Sequence, residues 1–183
     1  MSQRDGFRDG GRDLAWTALD WPGLEHVHVR FDVGGGPGLR ASGVAVAVID
    51  GAPIHVVYQL TTDTAGAVRR LEVGGPGRSV TLLSDGSGHW TSRPDLDGCV
   101  DVDIAITPLT NTLPIRRLNL AVGESADIEV AYVSVPDFAV KRASQRYTRT
   151  EAGYRYESGS FTADLEVDAD GLVTTYSDLW RRA

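Results

Sequence analysis

Asp95–Leu120, DLDGCVDVDIAITPLTNTLPIRRLNL, is the stretch whose reading decides the fold. From Val100 to Ile106, apolar residues alternate with Asp101, Asp103 and Ala105, which is the period of a β-strand. Asp101 and Asp103 then project from one face, while Val100, Val102, Ile104 and Ile106 project from the other. The two aspartate Cα atoms would stand about 6.5 Å apart. Beyond Thr107 the period changes. Thr110 or Asn111 can cap a helix, Pro114 suits its first turn, Ile115 and Leu118 recur at i,i+3, and Gly123 can close the end. The pattern predicts a short helix over residues 112–120, although a strand through Leu118, Leu120 and Val122 fits almost as well.

On either side of this run the chain is a series of strand-sized segments. LEHVHVRFDV (Leu24–Val33) sets Val27, Val29 and Phe31 on one face against His26, His28 and Arg30 on the other, and GGGPG at Gly34–Gly38 breaks it. GVAVAVID and PIHVVYQLTT follow, joined around Asp50-Gly51, and Ser84–Gly88 is a hairpin turn. IEVAYVSV, SQRYTRT, YRYES, SFTADLEVD and LVTTY continue the series, the last two joined through Asp168–Gly171. Strands spaced about 8–12 residues apart predict an antiparallel sheet protein, a barrel or a roll. A helix in such a chain belongs against the concave apolar face of the sheet. Residues 1–12 are rich in Gly, Arg and Asp and are expected to be flexible, with residues 13–183 forming one domain.

Composition removes several function classes. A net charge of −7 makes nucleic acid a poor partner. No apolar run approaches the roughly 18 residues of a membrane span. The N-terminal run MSQRDGFRDGGRDLAW lacks the apolar core of a secretory signal, and the single cysteine, Cys99, excludes an intramolecular disulfide. A cytoplasmic location is expected.

Each candidate group has a plain structural reading beside a functional one. Asp101 and Asp103 have the spacing of an acid/base pair, yet alternation with valine is also how a half-solvated strand looks. Arg116 and Arg117 diverge by about 100° on a helix, so one can pair with Asp101 or Asp103 while the other meets solvent or an anionic head group. His26 and His28 share a face without a third ligand at a diagnostic spacing, so no metal site is expected. The acidic loop at Asp168 has Leu179 where a calcium loop needs glutamate. No nucleophile elbow or phosphate loop occurs, so no cofactor is expected. Cys99 reads as a small buried hydrophobe. Trp16, Trp21, Trp90 and Trp180 could line a lipophilic pocket, with core packing the stronger reading.

GLEH at Gly23–His26, SDGSGHW at Ser84–Trp90 and the long central run resemble a bacterial family named for glycolipid binding, also called spiral β-roll proteins. YVSVPDFAV, QRYT, YRYE and VDADGLV extend the likeness over most of the chain from Trp16 onward, with Leu109 standing where an aromatic residue is usual. The resemblance implies a mainly β protein, a long sheet spiralling as a roll or half-barrel around a single α-helix. It also implies a homodimer and a distant likeness to lipoprotein carriers that hold acyl chains. It carries over no catalytic residue. The expected function is therefore non-catalytic binding of a glycolipid or similar amphiphile. Trp90, Asp101, Asp103, Asn111, Arg116, Arg117, Gln145, Arg146 and Tyr147 are the candidate contacts. The alternatives are a hydrolase of sugar-bearing substrates using Asp101 and Asp103, and a dimeric structural module without a ligand.

Overall fold

The computed structural model describes residues 11–31 and 38–183. Most of the expected glycine-rich break at residues 34–38, and most of the expected flexible start, lie outside the described residues. Gly11 and Arg12, expected within that start, open the first strand.

Strands β1 (Gly11–Ala18), β2 (Gly23–Phe31), β3 (Leu39–Ile49), β4 (Ala52–Thr62), β5 (Val68–Gly75) and β6 (Arg78–Leu83) form one meander. After β7 (Asp101–Ile104) come a 3-10 turn (Leu109–Asn111) and helix α1 (Thr112–Leu118). A second meander follows: β8 (Ser125–Val133), β9 (Val140–Arg149), β10 (Tyr154–Ser158), β11 (Phe161–Val167), β12 (Val173–Tyr176) and β13 (Trp180–Arg182). All belong to one 13-stranded sheet in the order β6-β5-β4-β3-β2-β1-β13-β12-β11-β10-β9-β8-β7. The two meanders join where β1 pairs with β13, Trp16 opposite Arg182 and Ala18 opposite Trp180.

The hairpin between β3 and β4 turns on two residues, Asp50 (φ 50°) and Gly51 (φ 78°), so both central positions are left-handed as a type I′ turn demands. Such tight links make neighbouring strands antiparallel. The exception is β7, which runs parallel to β8 with Asp101 opposite Val130. Parallel pairing needs a crossover connection, and α1 is part of that connection.

The sheet curls until the Val68 N–H donates to the Val100 carbonyl at 3.1 Å, bringing the β7 end of the sheet back against β5. The expected class stands: mainly β, one long curled sheet holding a single helix, open rather than closed into a barrel. The interior is filled from inward positions of period 2: Trp16, Val27, Val29, Ala45, Val56, Leu60, Leu71 and Leu82 are all buried. Helix α1 links two packed regions. Leu109 and Leu113 join the main core, while Ile115 packs among Tyr147, Tyr154, Tyr156 and Leu165.

The helix differs from its expected form at both ends. It stops at Leu118, where Asn119 takes a left-handed conformation (φ 45°) and its N–H reaches the Ile115 carbonyl, so Gly123 has no part in the cap. At the start the chain enters from the 3-10 turn, and neither Thr110 nor Asn111 acts as a side-chain cap. Thr110 is engaged elsewhere, as follows.

Candidate functional site

The aspartate face of β7 was expected to be either half-solvated or paired with an arginine of the helix, and it is covered, with one such pair present. Asp101 is fully buried and Asp103 partly so. Alternation reports which residues share a face, but it cannot report what covers that face, and here the crossover segment lies over it. Arg117 of α1 forms a two-pronged bridge to Asp101, Nε to Oδ1 at 3.2 Å and Nη2 to Oδ2 at 2.5 Å. Burial still holds the Asp101 carboxyl above the ordinary range, with the Arg117 hydrogen bonds and charge pulling the other way.

Asp103 has a different set of partners. Gln145 Nε2 of β9 donates to Oδ2 at 2.6 Å, and Thr110 Oγ1 donates to Oδ1 at 3.0 Å. The Tyr156 hydroxyl is a third hydrogen-bond partner. All three are neutral. Among the described residues, no Arg, Lys or His pairs with Asp103. Its carboxyl is pushed upward by burial, and the three hydrogen bonds oppose that shift.

Asp103 also borders a cavity of about 320 Å³, at the low end of the range for small-molecule sites. Trp21, Tyr132, Tyr156, Phe161, Tyr176 and Trp180 give it aromatic walls, Thr107 and Asn111 add polar atoms, and Lys141 stands at its exposed side. The walls are packed against one another. Trp21 and Trp180 meet edge to face at 5.3 Å, and Tyr156 lies 6.0 Å from Phe161 and 6.2 Å from Tyr176. Burial raises the pKa of Tyr132, Tyr156 and Tyr176, so all three remain neutral phenols at physiological pH. A second hollow, of about 360 Å³, shares Trp21 and Ala105 with the first and is otherwise lined by Val48, Ile49, Asp50, Ile106 and Val135. A polar, aromatic chamber thus shares Trp21 and Ala105 with a mostly apolar one.

Thr107 connects this chamber to a buried acid that sequence reasoning missed. Glu25 of β2 is fully buried, and its Oε1 accepts hydrogen bonds from Tyr58 at 2.5 Å and Thr107 at 2.6 Å. Its other oxygen is buried without a partner. Burial dominates and moves the carboxyl from 4.5 to about 7, against the two hydrogen bonds. Tyr58 reaches Glu25 by lying over Gly43 of the intervening strand, where a Cβ would stand 2.2 Å from the tyrosine Cζ. A signal was available: Glu25 has the same parity as Val27, Val29 and Phe31, so the apolar face of β2 contains one carboxylate.

Of the expected contacts, Asp103 and Asn111 border the chamber, and Gln145 and Tyr147 stand behind it. The Tyr147 hydroxyl donates to Asn111 Oδ1 at 2.8 Å. Trp90 lies elsewhere, wholly inside the main core with its indole N–H on the Cys99 carbonyl at 2.8 Å. Arg146 is exposed and pairs with Asp127. Arg116 and Arg117 border a larger hollow of about 750 Å³ at the end of α1, with Arg149 and Asp168. Its charges are engaged by the protein itself: Arg116 donates to the Asp170 carbonyl at 2.7 Å and stacks on Phe31, and Asp168 pairs with Arg12 and Arg182. Trp21, Tyr132, Phe161, Tyr176 and Trp180 come from four separate strands and one loop, a grouping that no local spacing announces.

Comparison with known proteins agrees with this architecture. A crystal structure of a DUF1089 family protein from Pseudomonas aeruginosa matches with a TM-score of 0.71 and 35% sequence identity, covering 86% of this chain and 92% of that one. Among curated proteins, none matches. The family described as "Putative glycolipid-binding" matches residues 13–182, nearly the whole described sheet. The chain is a member of that glycolipid-binding family.

Proposed function

We propose that the protein is a non-catalytic binder of a single amphiphile of glycolipid type. The observation that carries this reading is the pair of adjoining hollows. The aromatic chamber with Asp103, Thr107 and Asn111 is sized for a head group, and the mostly apolar hollow of Val48, Ile49, Asp50, Ile106 and Val135 shares the walls Trp21 and Ala105 with it. Sugar rings stack on aromatic faces while their hydroxyls need acceptors and donors of this kind, and an acyl chain needs only apolar walls. Family membership supports the same class of ligand. Paired-carboxylate hydrolysis is the weaker reading, because Arg117 engages Asp101 and only Asp103 borders the chamber.

Titration with n-octyl β-glucoside below its micellar concentration should raise the unfolding temperature saturably, and Tyr176→Ala should abolish the rise. A flat response to this and to longer alkyl glycosides would remove the proposal.

We further read the protein as a cytoplasmic homodimer. The outer face of β2, β3 and β4 exposes Leu24, Val44, Val46 and Val57 side by side, with Leu24 opposite Val46 and Val44 opposite Val57. A contiguous apolar area of this kind suits a second copy of the same face. Sedimentation velocity should give twice the chain mass, and Val46→Lys should halve it. A wild-type monomer at high concentration would refute the dimer.

A further inference from the structure

The chamber contains a charge imbalance that its own residues leave open. Asp103 is held by Gln145, Thr110 and Tyr156, which orient a carboxylate but bring no positive charge to it. The contrast with Asp101 is direct: two residues away on the same strand face, that carboxylate has the Arg117 guanidinium. Lys141 is the cation of the chamber lining, and it makes no ion pair with Asp103: its ammonium lies over the Tyr132 ring instead. Asp103, Tyr132 and Lys141 stand in one row across β7, β8 and β9, so two strand spacings, about 10 Å, separate the lysine backbone from that of Asp103. The Lys141 ammonium sits 5.5 Å from the centre of the Tyr132 ring.

The walls favour the same sign of partner. Tyr132, Tyr156, Tyr176 and Phe161 surround the space in front of Asp103 with rings whose faces carry partial negative charge. An anionic head group would meet the carboxylate, whereas a cation can lie against any of these rings that presents its face. A neutral sugar would find hydrogen-bond partners but leave the carboxylate charge uncompensated in a poorly solvated place. A protonated amine supplies N–H donors and the missing charge together.

We infer that the chamber selects an amphiphile whose head group carries a protonated primary amine, with the ammonium on Asp103 and among the surrounding rings. This refines the proposed binding of a glycolipid and rests on it. Amino sugars and simple alkylamine head groups share the required chemistry.

Calorimetry at pH 7 with three probes separates the possibilities: n-octyl 2-amino-2-deoxy-β-glucoside, n-octyl β-glucoside and n-octylamine. The amino glycoside should bind at least about tenfold tighter than the neutral glycoside, the ratio of one charge-assisted hydrogen bond over a neutral one. Asp103→Asn, which keeps the size of the side chain, should bring the two glycosides to equal affinity. Octylamine matching the amino glycoside would assign recognition to the amine alone; octylamine failing to bind would assign it to an amino sugar. Equal affinity of the two glycosides for the wild-type protein, which needs no variant, overturns the inference and leaves glycolipid binding standing. Selectivity that survives in Asp103→Asn overturns it as well. Binding of none of the three removes both.

Discussion

Arg117→Met should destabilise the protein by about 3–5 kcal/mol, the usual cost of stranding one member of a buried ion pair. The pair is asymmetric: Asp101 is fully buried, while the Arg117 side chain retains 20% of its exposure. Removing the arginine therefore leaves the worse-solvated charge without a partner. Asp101 already resists ionisation through burial, and without Arg117 its folded-state pKa rises further. A raised carboxyl pKa costs stability only where the unfolded chain is ionised, so the loss should be full near pH 8 and much smaller near pH 4. Urea unfolding at the two pH values measures this. A second variant, Asp101→Asn with Arg117→Met, should recover most of the loss at pH 8 because no buried charge remains. Equal destabilisation at both pH values, or no recovery in the double variant, would mean that Arg117 acts through packing alone.

Glu25→Gln should change the pH dependence of stability by about 3 kcal/mol. The carboxyl moves from its ordinary value of 4.5 to about 7 in the fold, and each pKa unit corresponds to about 1.4 kcal/mol. Below pH 4.5 the acid is protonated in both the folded and unfolded chain and costs nothing. Between pH 4.5 and 7 the unfolded chain releases the proton while the fold retains it, so wild-type stability falls across that window. Above pH 7 the folded protein contains a buried carboxylate whose second oxygen has no partner. Glutamine reproduces the neutral acid in shape, and its carbonyl can still accept from Tyr58 and Thr107. The variant should thus match the wild type near pH 4.5 and exceed it by about 3 kcal/mol at pH 8. A wild-type-minus-variant difference that stays constant with pH would show that Glu25 ionises freely in the fold.

The architecture was largely legible because strand alternation and turn chemistry are local properties. Asp50-Gly51 named its own hairpin, and the change of period after Thr107 located the helix to within two residues of its C-terminal end. The parallel pairing of β7 with β8 was not legible from alternation. It follows from the crossover through α1, whose path depends on tertiary packing. The aspartates show the same limit at the level of the site. Parity placed Asp101 and Asp103 together correctly, but the solvation of their face depended on a helix that arrives from later in the chain. Trp90 follows the stronger of its two readings, core packing: its indole fills the segment that crosses from β6 to β7 and does not line the chamber. The chamber walls come from residues 21, 132, 156, 161, 176 and 180, which only sheet order makes neighbours. Glu25 was the one missed group that the same arithmetic could have found.

The order of the strands has a consequence for solubility. Because the first and last strands pair in the middle of the sheet, its two outer borders belong to β6 and β7, which follow one another in the chain. An open border is where a foreign strand can add and aggregation can begin. The segment between these strands guards both. On returning from β6 it donates the Thr91 N–H to the Leu83 carbonyl and bridges Ser84 to Trp90, and on entering β7 it offers the Val100 carbonyl to Val68. Beyond β7, the hydroxyl of Thr110 in the following 3-10 turn accepts the Ile104 N–H at 3.4 Å. The connection from β6 to β7, the four-residue strand it introduces and the turn that follows thus blunt both borders against intermolecular strand addition.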